Sequence, residues 1–188
     1  MYEKLNEAIV FAAQCHAGQM RKMANVPYIL HPMEVAAIIG TITGDENVMI
    51  AGLLHDTVED CGADPMLIRE TFGARVAALV QSETEDKIAA RPASETWKQR
   101  KEESLLLLHY TKDRDVKILW LADKLSNIRS FYREYQKHGD AMWQYLNQKD
   151  PAMQAWYYRT IAQYLSELSD TAAYQEYISL VERLFGKD

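Results

Sequence analysis

The residues best suited to chemistry come directly after an apolar run over positions 48–54. They are His55, Asp56, Glu59 and Asp60. Residues four apart on a helix have β-carbons roughly 6 Å from each other. If a helix continues through this stretch, Glu59 therefore lies one turn above His55, and Asp60 one turn above Asp56. Ionised carboxylates are not buried without partners. Three acids and an imidazole beside apolar residues therefore predict a counter-charge, for which a divalent cation is the natural choice.

Two more candidate ligands lie in other segments. Because a residue before proline avoids the helical region and proline suits a first helical turn, we expect His31 at the entrance of a helix over 32–41. Asp123 follows the apolar run 119–122 on a helix that is apolar on two sides and should therefore be central. Taken alone, His31 is more simply a capping or packed histidine, and Asp123 could instead form a salt bridge with Lys124.

Together these residues offer two imidazoles and two carboxylates from three segments, namely His31, His55, Asp56 and Asp123. Such a mixed set suits Mn²⁺, Fe²⁺, Co²⁺, Ni²⁺ or Zn²⁺ and leaves coordination positions for water or substrate. The H-E-x-x-H motif of zinc proteases is absent, and a structural zinc site would more usually carry cysteines. An open site of this kind lowers the pKa of a bound water and polarises a phosphoryl oxygen.

Charged residues near the candidate ligands suggest how such a site could work. Glu59 and Asp60 are placed to take a proton from the water or to hold it in line. Arg21 and Lys22, shortly before His31, could neutralise phosphate charge. These assignments predict a metal-dependent phosphohydrolase.

Glycines and prolines divide the chain into long periodic segments with few strand patterns, so we predict an all-α fold. Helix starts are expected at Asp45, Asp64, Ser94, Asp113 and Asp150, and helix ends at Gly18, Gly73 and Gly139. We expect a break over 88–93 and two closing helices over 152–168 and 172–184, with aromatic residues used for packing. The charge run 83–87 is interpreted as a solvated helix face. Three further charges are interpreted as exposed, those of Lys98, Arg100 and Lys101.

Composition limits the classes of partner. The chain has 188 residues and a formal charge of −6, which disfavours a phosphate polymer but allows a small nucleotide. Its two cysteines, Cys15 and Cys61, argue against a disulfide framework. With no signal pattern and no apolar run near the ~20 residues of a membrane span, we expect a cytoplasmic protein of one domain or a tightly merged pair. Oligomeric state stays open.

The motifs resemble those of HD-domain metal-dependent phosphohydrolases, and in particular the hydrolase domain of RelA/SpoT-type enzymes and the small alarmone hydrolases. The resemblance covers about residues 5–132 and rests on motifs that occur in the family's order. They are H-A-G-Q with R-K (16–22), P-Y-I-L-H-P (27–32), L-L-H-D-T-V-E-D (53–60), T-E-D-K (84–87) and L-A-D-K-L-S-N-I-R (121–129).

This resemblance implies an all-α HD-domain bundle that fills residues 1–188, with the helices over 151–186 packed on the motif-bearing part. It implies a Mn²⁺-type ion on the four candidate ligands and Glu59 and Asp60 as the catalytic acids. It implies nucleotide contacts by Arg21, Lys22, Asn127 and Ser130. The implied reaction removes the 3′-pyrophosphate from guanosine tetra- or pentaphosphate and gives GDP or GTP and pyrophosphate. Glu83 departs from the family, which usually has an apolar residue there.

Three alternatives stay open at the level of sequence. The chain could be an HD phosphohydrolase for another nucleotide or a phosphorylated cofactor, with the same metal chemistry and a different pocket. It could be a domain that senses a nucleotide without hydrolysing it, although a sensor has no need of both the ligands and the Glu59-Asp60 pair. It could be a helical structural domain, which would leave several acids uncompensated beside apolar runs.

Overall fold

The computed structural model describes residues 2–84 and 94–186, and within these ranges it contains helices and no β-strand. The prediction of an all-α fold is confirmed. The α-helices of the described ranges are α1 (Glu3–Cys15), α2 (Leu30–Gly40), α3 (Glu46–Leu54), α4 (Thr57–Cys61), α5 (Pro65–Phe72), α6 (Ala74–Glu83), α7 (Trp97–Tyr110), α8 (Arg114–His138), α9 (Pro151–Tyr164) and α10 (Ala172–Phe185). Short 3₁₀ helices cover Gly139–Tyr145 and Ser166–Leu168. Most of the T-E-D-K motif, 85–87, and the predicted break over 88–93 lie outside the described residues.

Helix α8 is central, as its two apolar stripes predict. It begins after Asp113, whose side chain accepts a hydrogen bond from the backbone N–H of Asp115 at 3.1 Å. It ends at Gly139, which has a φ of 55°. Its sides pack against α2, α3, α6 and α10. Several polar residues of α8, among them Asp123, Ser126 and Ser130, are therefore buried inside the bundle.

Helices α2 and α3 approach each other closely because Gly52 has no side chain. A β-carbon at this position would lie 2.5 Å from Cδ1 of Ile39 and 3.3 Å from Cγ1 of Val35. Helix α2 carries His31, and α3 leads directly into His55. The close packing therefore brings two segments that are far apart in sequence to the same place.

The helix that carries the opening cluster stops earlier than the sequence pattern suggests. Helix α3 ends at Leu54, and Asp56 is the N-cap residue of the separate helix α4. The buried hydroxyl of Thr57 donates to the Leu54 carbonyl at 2.7 Å, which supports the chain where it turns. His55 and Asp56 thus lie at a corner between two helices, and Glu59 and Asp60 occupy the first turn of α4.

Two other features of helix placement refine the predictions. Helix α7 starts at Trp97 with Thr96 as N-cap residue, so the predicted cap at Ser94 is wrong. Trp97 is buried and contacts Trp156 and Tyr157 edge-on, so aromatic packing fixes the start of the helix. The remaining predicted caps accept hydrogen bonds from backbone N–H groups, as Asp45, Asp64 and Asp150 show.

The two cysteines, Cys15 and Cys61, are free thiols. Among the helices that the structure describes, none is both long enough and apolar enough to cross a bilayer.

Candidate active site

The four predicted metal ligands converge at the junction of α2, the α3–α4 corner and α8. Nε2 of His31 lies 3.1 Å from Oδ1 of Asp123 and 3.6 Å from Oδ2 of Asp56. Nε2 of His55 lies 3.0 Å from Oδ2 of Asp56 and 3.7 Å from Oδ1 of Asp123. Both imidazoles and the Asp123 carboxylate are buried, and the Asp56 side chain is 20% exposed.

Hydrogen bonds on the far side of each imidazole define its tautomer. Nδ1 of His55 is 2.9 Å from the Gly52 carbonyl, which only accepts, so this nitrogen carries the proton. Nδ1 of His31 is 2.8 Å from the Ser126 hydroxyl, which donates its own proton to Glu34 at 2.7 Å and therefore accepts from the imidazole. When a ring is neutral, this leaves Nε2 with a lone pair that faces carboxylate oxygens.

This arrangement fits a divalent cation. A lone pair and a carboxylate oxygen repel each other unless a positive charge, either a proton or a metal ion, lies between them, and Nε2 of His55 is buried with no hydrogen-bond partner within the described residues. An ion with bonds of about 2.1 Å places neighbouring ligands about 3.0 Å apart, close to the separations seen here. One donor atom each of His31, His55 and Asp123 lies within 4.8 Å of the other two, a spacing that a single ion can bridge.

Asp123 divides its two oxygens between different partners. Oδ1 faces the histidines and accepts a hydrogen bond from Nδ2 of Asn127 at 2.7 Å. Oδ2 forms an ion pair with Lys124, whose ammonium also lies 4.7 Å from the centroid of the Trp120 ring. The salt bridge that the sequence offered as an alternative to metal binding is therefore present, yet it leaves one oxygen directed at the candidate metal position.

The charges of the cluster shift the proton affinities of its members. Burial lowers the pKa of His31. At His55 burial acts in the same direction, but the Asp56 and Asp123 carboxylates together outweigh it and raise the pKa in the absence of a metal ion. The Tyr28 hydroxyl donates to Oδ2 of Asp56 at 2.6 Å, and burial together with that carboxylate raises the pKa of Tyr28. Tyr28 is thus a neutral donor that orients Asp56, a role that the sequence did not indicate.

A cavity of about 320 Å³ opens over the four ligands, and both predicted catalytic acids, Glu59 and Asp60, line it. Cations line it as well, including Lys22, Lys101 and Arg100. The interpretation of Arg100 and Lys101 as exposed charges is therefore wrong, whereas Lys98 is indeed 63% exposed. The signal was available in sequence, because Arg100 and Lys101 follow Trp97 by three and four residues and so share its helix face.

Glu83 contradicts the interpretation of its charge run as a solvated face. Its side chain is 4% exposed, lines the same cavity and lies 3.7 Å from the Lys124 ammonium. Burial raises the pKa of Glu83 to about 8, against the opposing charge of Lys124. Its Oε1 atom has no hydrogen-bond partner within residues 2–84 and 94–186. The residue that departs from the family pattern thus stands inside the site.

The predicted nucleotide-binding residues line an adjoining cavity of about 250 Å³. Arg21, Lys22, Asn127 and Ser130 all contribute to its wall, together with Tyr28 and Phe131. Lys22 and Asn127 line both cavities, so the two are neighbours. Nη2 of Arg21 donates to Oδ1 of Asn127 at 3.3 Å, which links the connector before α2 to α8.

Comparison with known proteins places this site in a family. Residues 8–152 match the family model of the HD domain. A guanosine-3′,5′-bis(diphosphate) 3′-pyrophosphohydrolase of Aquifex aeolicus is 35% identical over 130 residues, which are 69% of this chain and 18% of that protein. A GTP pyrophosphokinase of Myxococcus xanthus is 35% identical over 128 residues, 67% of this chain and 17% of that protein. The chain thus spans under a fifth of the length of either relative.

Solved structures share the fold over most of the chain. The protein lmo0812 of Listeria monocytogenes superimposes with a TM-score of 0.73 and 33% identity, covering 84% of this chain and 99% of that one. A metazoan ortholog of SpoT, described as hydrolysing ppGpp, superimposes with a TM-score of 0.74 and 26% identity, covering 98% and 96%. With its sequence match and its helical bundle in agreement, the chain belongs to the HD domain family and resembles SpoT-type ppGpp hydrolases.

Proposed function

We propose that this chain is a divalent-metal-dependent hydrolase that removes the 3′-pyrophosphate from guanosine 3′,5′-bis(diphosphate) or its pentaphosphate analogue. The observation that carries the proposal is that Nε2 of each of two histidines lies 3.0–3.7 Å from an oxygen of both Asp56 and Asp123, in a cavity that cationic side chains also line. The described activities of the Aquifex and metazoan relatives supply the substrate.

His31, His55, Asp56 and Asp123 would hold the metal, with Mn²⁺ as the proposed ion. When bound, the ion supplies Lewis-acid stabilisation of phosphoryl oxygens and acidifies a water molecule. Lys22, Arg100 and Lys101 would bind the phosphate oxygens through charge-assisted hydrogen bonds. Arg21, Asn127 and Ser130, which line the adjoining cavity, would contact the nucleoside.

Glu59 and Asp60 would accept the proton of the attacking water. Water adds to the phosphorus that is bonded to the ribose 3′-oxygen, the bond from that phosphorus to the 3′-oxygen breaks, and the 3′-oxygen takes up a proton. The products are GDP or GTP with a free 3′-hydroxyl and inorganic pyrophosphate. Two acids beside the ligands allow one group to remove a proton while its neighbour orients the water.

The test is incubation of the purified protein with Mn²⁺ and guanosine tetraphosphate, followed by identification of the products by ion-exchange chromatography and mass spectrometry. We expect GDP and pyrophosphate in equal amounts. A parallel panel of nucleoside mono- and triphosphates and phosphorylated cofactors tests other HD-type substrates. Turnover of a panel member without turnover of the tetraphosphate would overturn the substrate assignment and leave the metal chemistry standing.

Glu59→Gln and Asp60→Asn remove the proposed base while they preserve side-chain shape. We expect each variant to lose about 10²–10⁴-fold in kcat, the usual contribution of general-base catalysis. Mn²⁺ affinity, measured by titration calorimetry, should stay close to that of the unaltered protein. Full activity in both variants would show that the catalytic assignment is wrong.

A further inference from the structure

One metal ligand is connected to the C-terminal helix by a continuous series of hydrogen bonds. Nδ1 of His31 contacts the Ser126 hydroxyl at 2.8 Å, and that hydroxyl donates to Oε2 of Glu34 at 2.7 Å. Oε1 of Glu34 accepts from Nη1 of Arg129 at 3.0 Å. Arg129 then donates from Nε and Nη2 to the two carboxylate oxygens of Glu176, at 2.7 and 2.5 Å.

The helices bring these groups together in pairs. His31 and Glu34 are three residues apart on α2, and Ser126 and Arg129 are three apart on α8, so each pair lies on one face of its helix. The faces meet where α2 packs on α8, and Glu176 ends the series from α10, which also packs on α8. Ser126 is fully buried, so water does not replace its two hydrogen bonds.

We infer that Ser126, Glu34, Arg129 and Glu176 are positioning residues that fix His31 in the tautomer and orientation required to bind a metal ion through Nε2. Glu34 takes the only proton of the Ser126 hydroxyl, which leaves its oxygen as an acceptor for Nδ1–H of His31. The second contact of Glu34, to Arg129, prevents the carboxylate from turning away. Partners of this kind behind a ligating histidine change metal affinity by about 10–100-fold when they are removed.

This inference rests on the metal site of the proposed function and gives helix α10 a part in it. Helix α10 contributes no candidate ligand. Its Glu176 instead binds the Arg129 guanidinium, which in turn donates to Glu34. The opposite imidazole is supported differently, because Nδ1 of His55 donates to a backbone carbonyl. The inference therefore predicts that side-chain substitutions far from the cavity weaken the His31 side of the site alone.

The test is titration of metal-free protein with Mn²⁺ by calorimetry, which needs no substrate. Ser126→Ala is expected to weaken Mn²⁺ binding by about tenfold or more, and Ser126→Thr, which keeps a hydroxyl, should recover most of the affinity. Melting in EDTA is the check on folding. In addition, ¹⁵N NMR of the neutral His31 ring should show Nδ1–H in the unaltered protein and a mixture of tautomers in Ser126→Ala, a change that loss of packing alone does not cause.

A matched pair of variants tests the distant end of the series. Glu176 and Glu167 are both 44% exposed, and each forms an ion pair with a cation of α8, Arg129 and Lys117 respectively. Of these two cations, Arg129 is the one that is hydrogen-bonded to Glu34 and so connected through Ser126 to His31. We expect Glu176→Gln to weaken Mn²⁺ binding measurably, by less than Ser126→Ala, and Glu167→Gln to leave it unchanged.

The outcomes separate this inference from the proposed function. If the unaltered protein binds no Mn²⁺ or other divalent transition metal, the metal site fails and the proposed function fails with it. If the unaltered protein binds Mn²⁺ and Ser126→Ala binds it equally well with an unchanged His31 tautomer, the positioning role is wrong and the metal site stands. Equal losses of Mn²⁺ affinity in Glu176→Gln and Glu167→Gln would show that Glu176 of α10 has no specific part in positioning His31.

Discussion

The wall of the cavity that carries the candidate ligands and the wall formed by α7 differ in how their charged groups are held. On the ligand wall, each imidazole and carboxylate is held by a further hydrogen bond, as Gly52 provides for His55 and Tyr28 for Asp56. On the α7 wall, Arg100 and Lys101 are partly exposed side chains of a single helix. The difference suggests that the first wall sets the chemistry through fixed geometry, whereas the second wall attracts and orients an anion through charge.

The largest effect should follow a change in the ligand wall. Asp123→Asn removes the negative charge that faces both histidines, and we expect loss of Mn²⁺ binding and of hydrolysis together. Calorimetry and a product assay measure the two. Melting of the variant in EDTA tests whether it folds, because Lys124 also loses its ion-pair partner. Unchanged Mn²⁺ affinity in a folded variant would show that the ligand wall does not bind the metal as proposed.

Glu83, which lines the same cavity, tests whether ionising a buried carboxyl lowers the free energy of unfolding. Because its folded-state pKa is about 8 and its ordinary value is 4.5, its contribution to stability is present at low pH and is lost as pH rises through 8. In EDTA, the free energy of unfolding of the unaltered protein should therefore fall between pH 5 and pH 9 by on the order of 3 kcal/mol more than that of Glu83→Gln. Urea unfolding at several pH values measures the difference. Parallel pH profiles would indicate that Glu83 titrates normally.

A smaller effect is expected on the α7 wall. Lys101→Ala removes a cation from the cavity, and we expect KM for the nucleotide to rise about tenfold, the equivalent of one charge-assisted hydrogen bond. Mn²⁺ affinity should not change. Lys98→Ala on the same helix is the matched control, because Lys98 is largely exposed and pairs only weakly with Glu102 at 3.8 Å. Equal KM values for the two variants would argue against phosphate binding by this wall.

The smallest effect should come from the start of α8, away from both walls. Asp113 is the N-cap residue and also pairs with Arg75 at 2.6 Å. Asp113→Ala should lower the free energy of unfolding by about 1 kcal/mol and leave Mn²⁺ affinity and KM unchanged. Arg75 lowers the pKa of Asp113, so this contribution is present above the ordinary carboxyl pKa and declines on acidification. Denaturation at pH 7 and pH 3 measures it, and a change in metal affinity would show that the helix start and the site are coupled.

The ligand wall was also the part that could be predicted from sequence. His55 and Asp56 follow an apolar run, and Asp123 interrupts another, so local pattern marks them as buried polar groups that need partners. Helix caps such as Asp113 and Asp150 are equally local, and they were placed correctly. These features depend on a few neighbouring residues, which is the information that a single sequence holds.

Other features depend on how the helices pack against each other, and these could not be predicted in the same way. Glu83 belongs to a charged run and only the end of α6 places it against Lys124. The end of α3 at Leu54 depends on a hydroxyl–carbonyl contact that the apolar pattern does not reveal. The links from Ser126 to Glu34 and from Arg129 to Glu176 join residues 92 and 47 positions apart, and such pairings appear only in the folded chain.

The missing side chain of Gly52 has a consequence for the spacing of the two candidate ligand rings. Its carbonyl holds one ligating ring, and its lack of a β-carbon sets how near the helix bearing the other ring can come. A single methyl group at this residue would therefore act as a spacer between the two histidines. The distance between the two imidazoles is thus set in part by a residue whose own side chain is a single hydrogen, which makes position 52 a point at which the spacing of the candidate metal site can be altered.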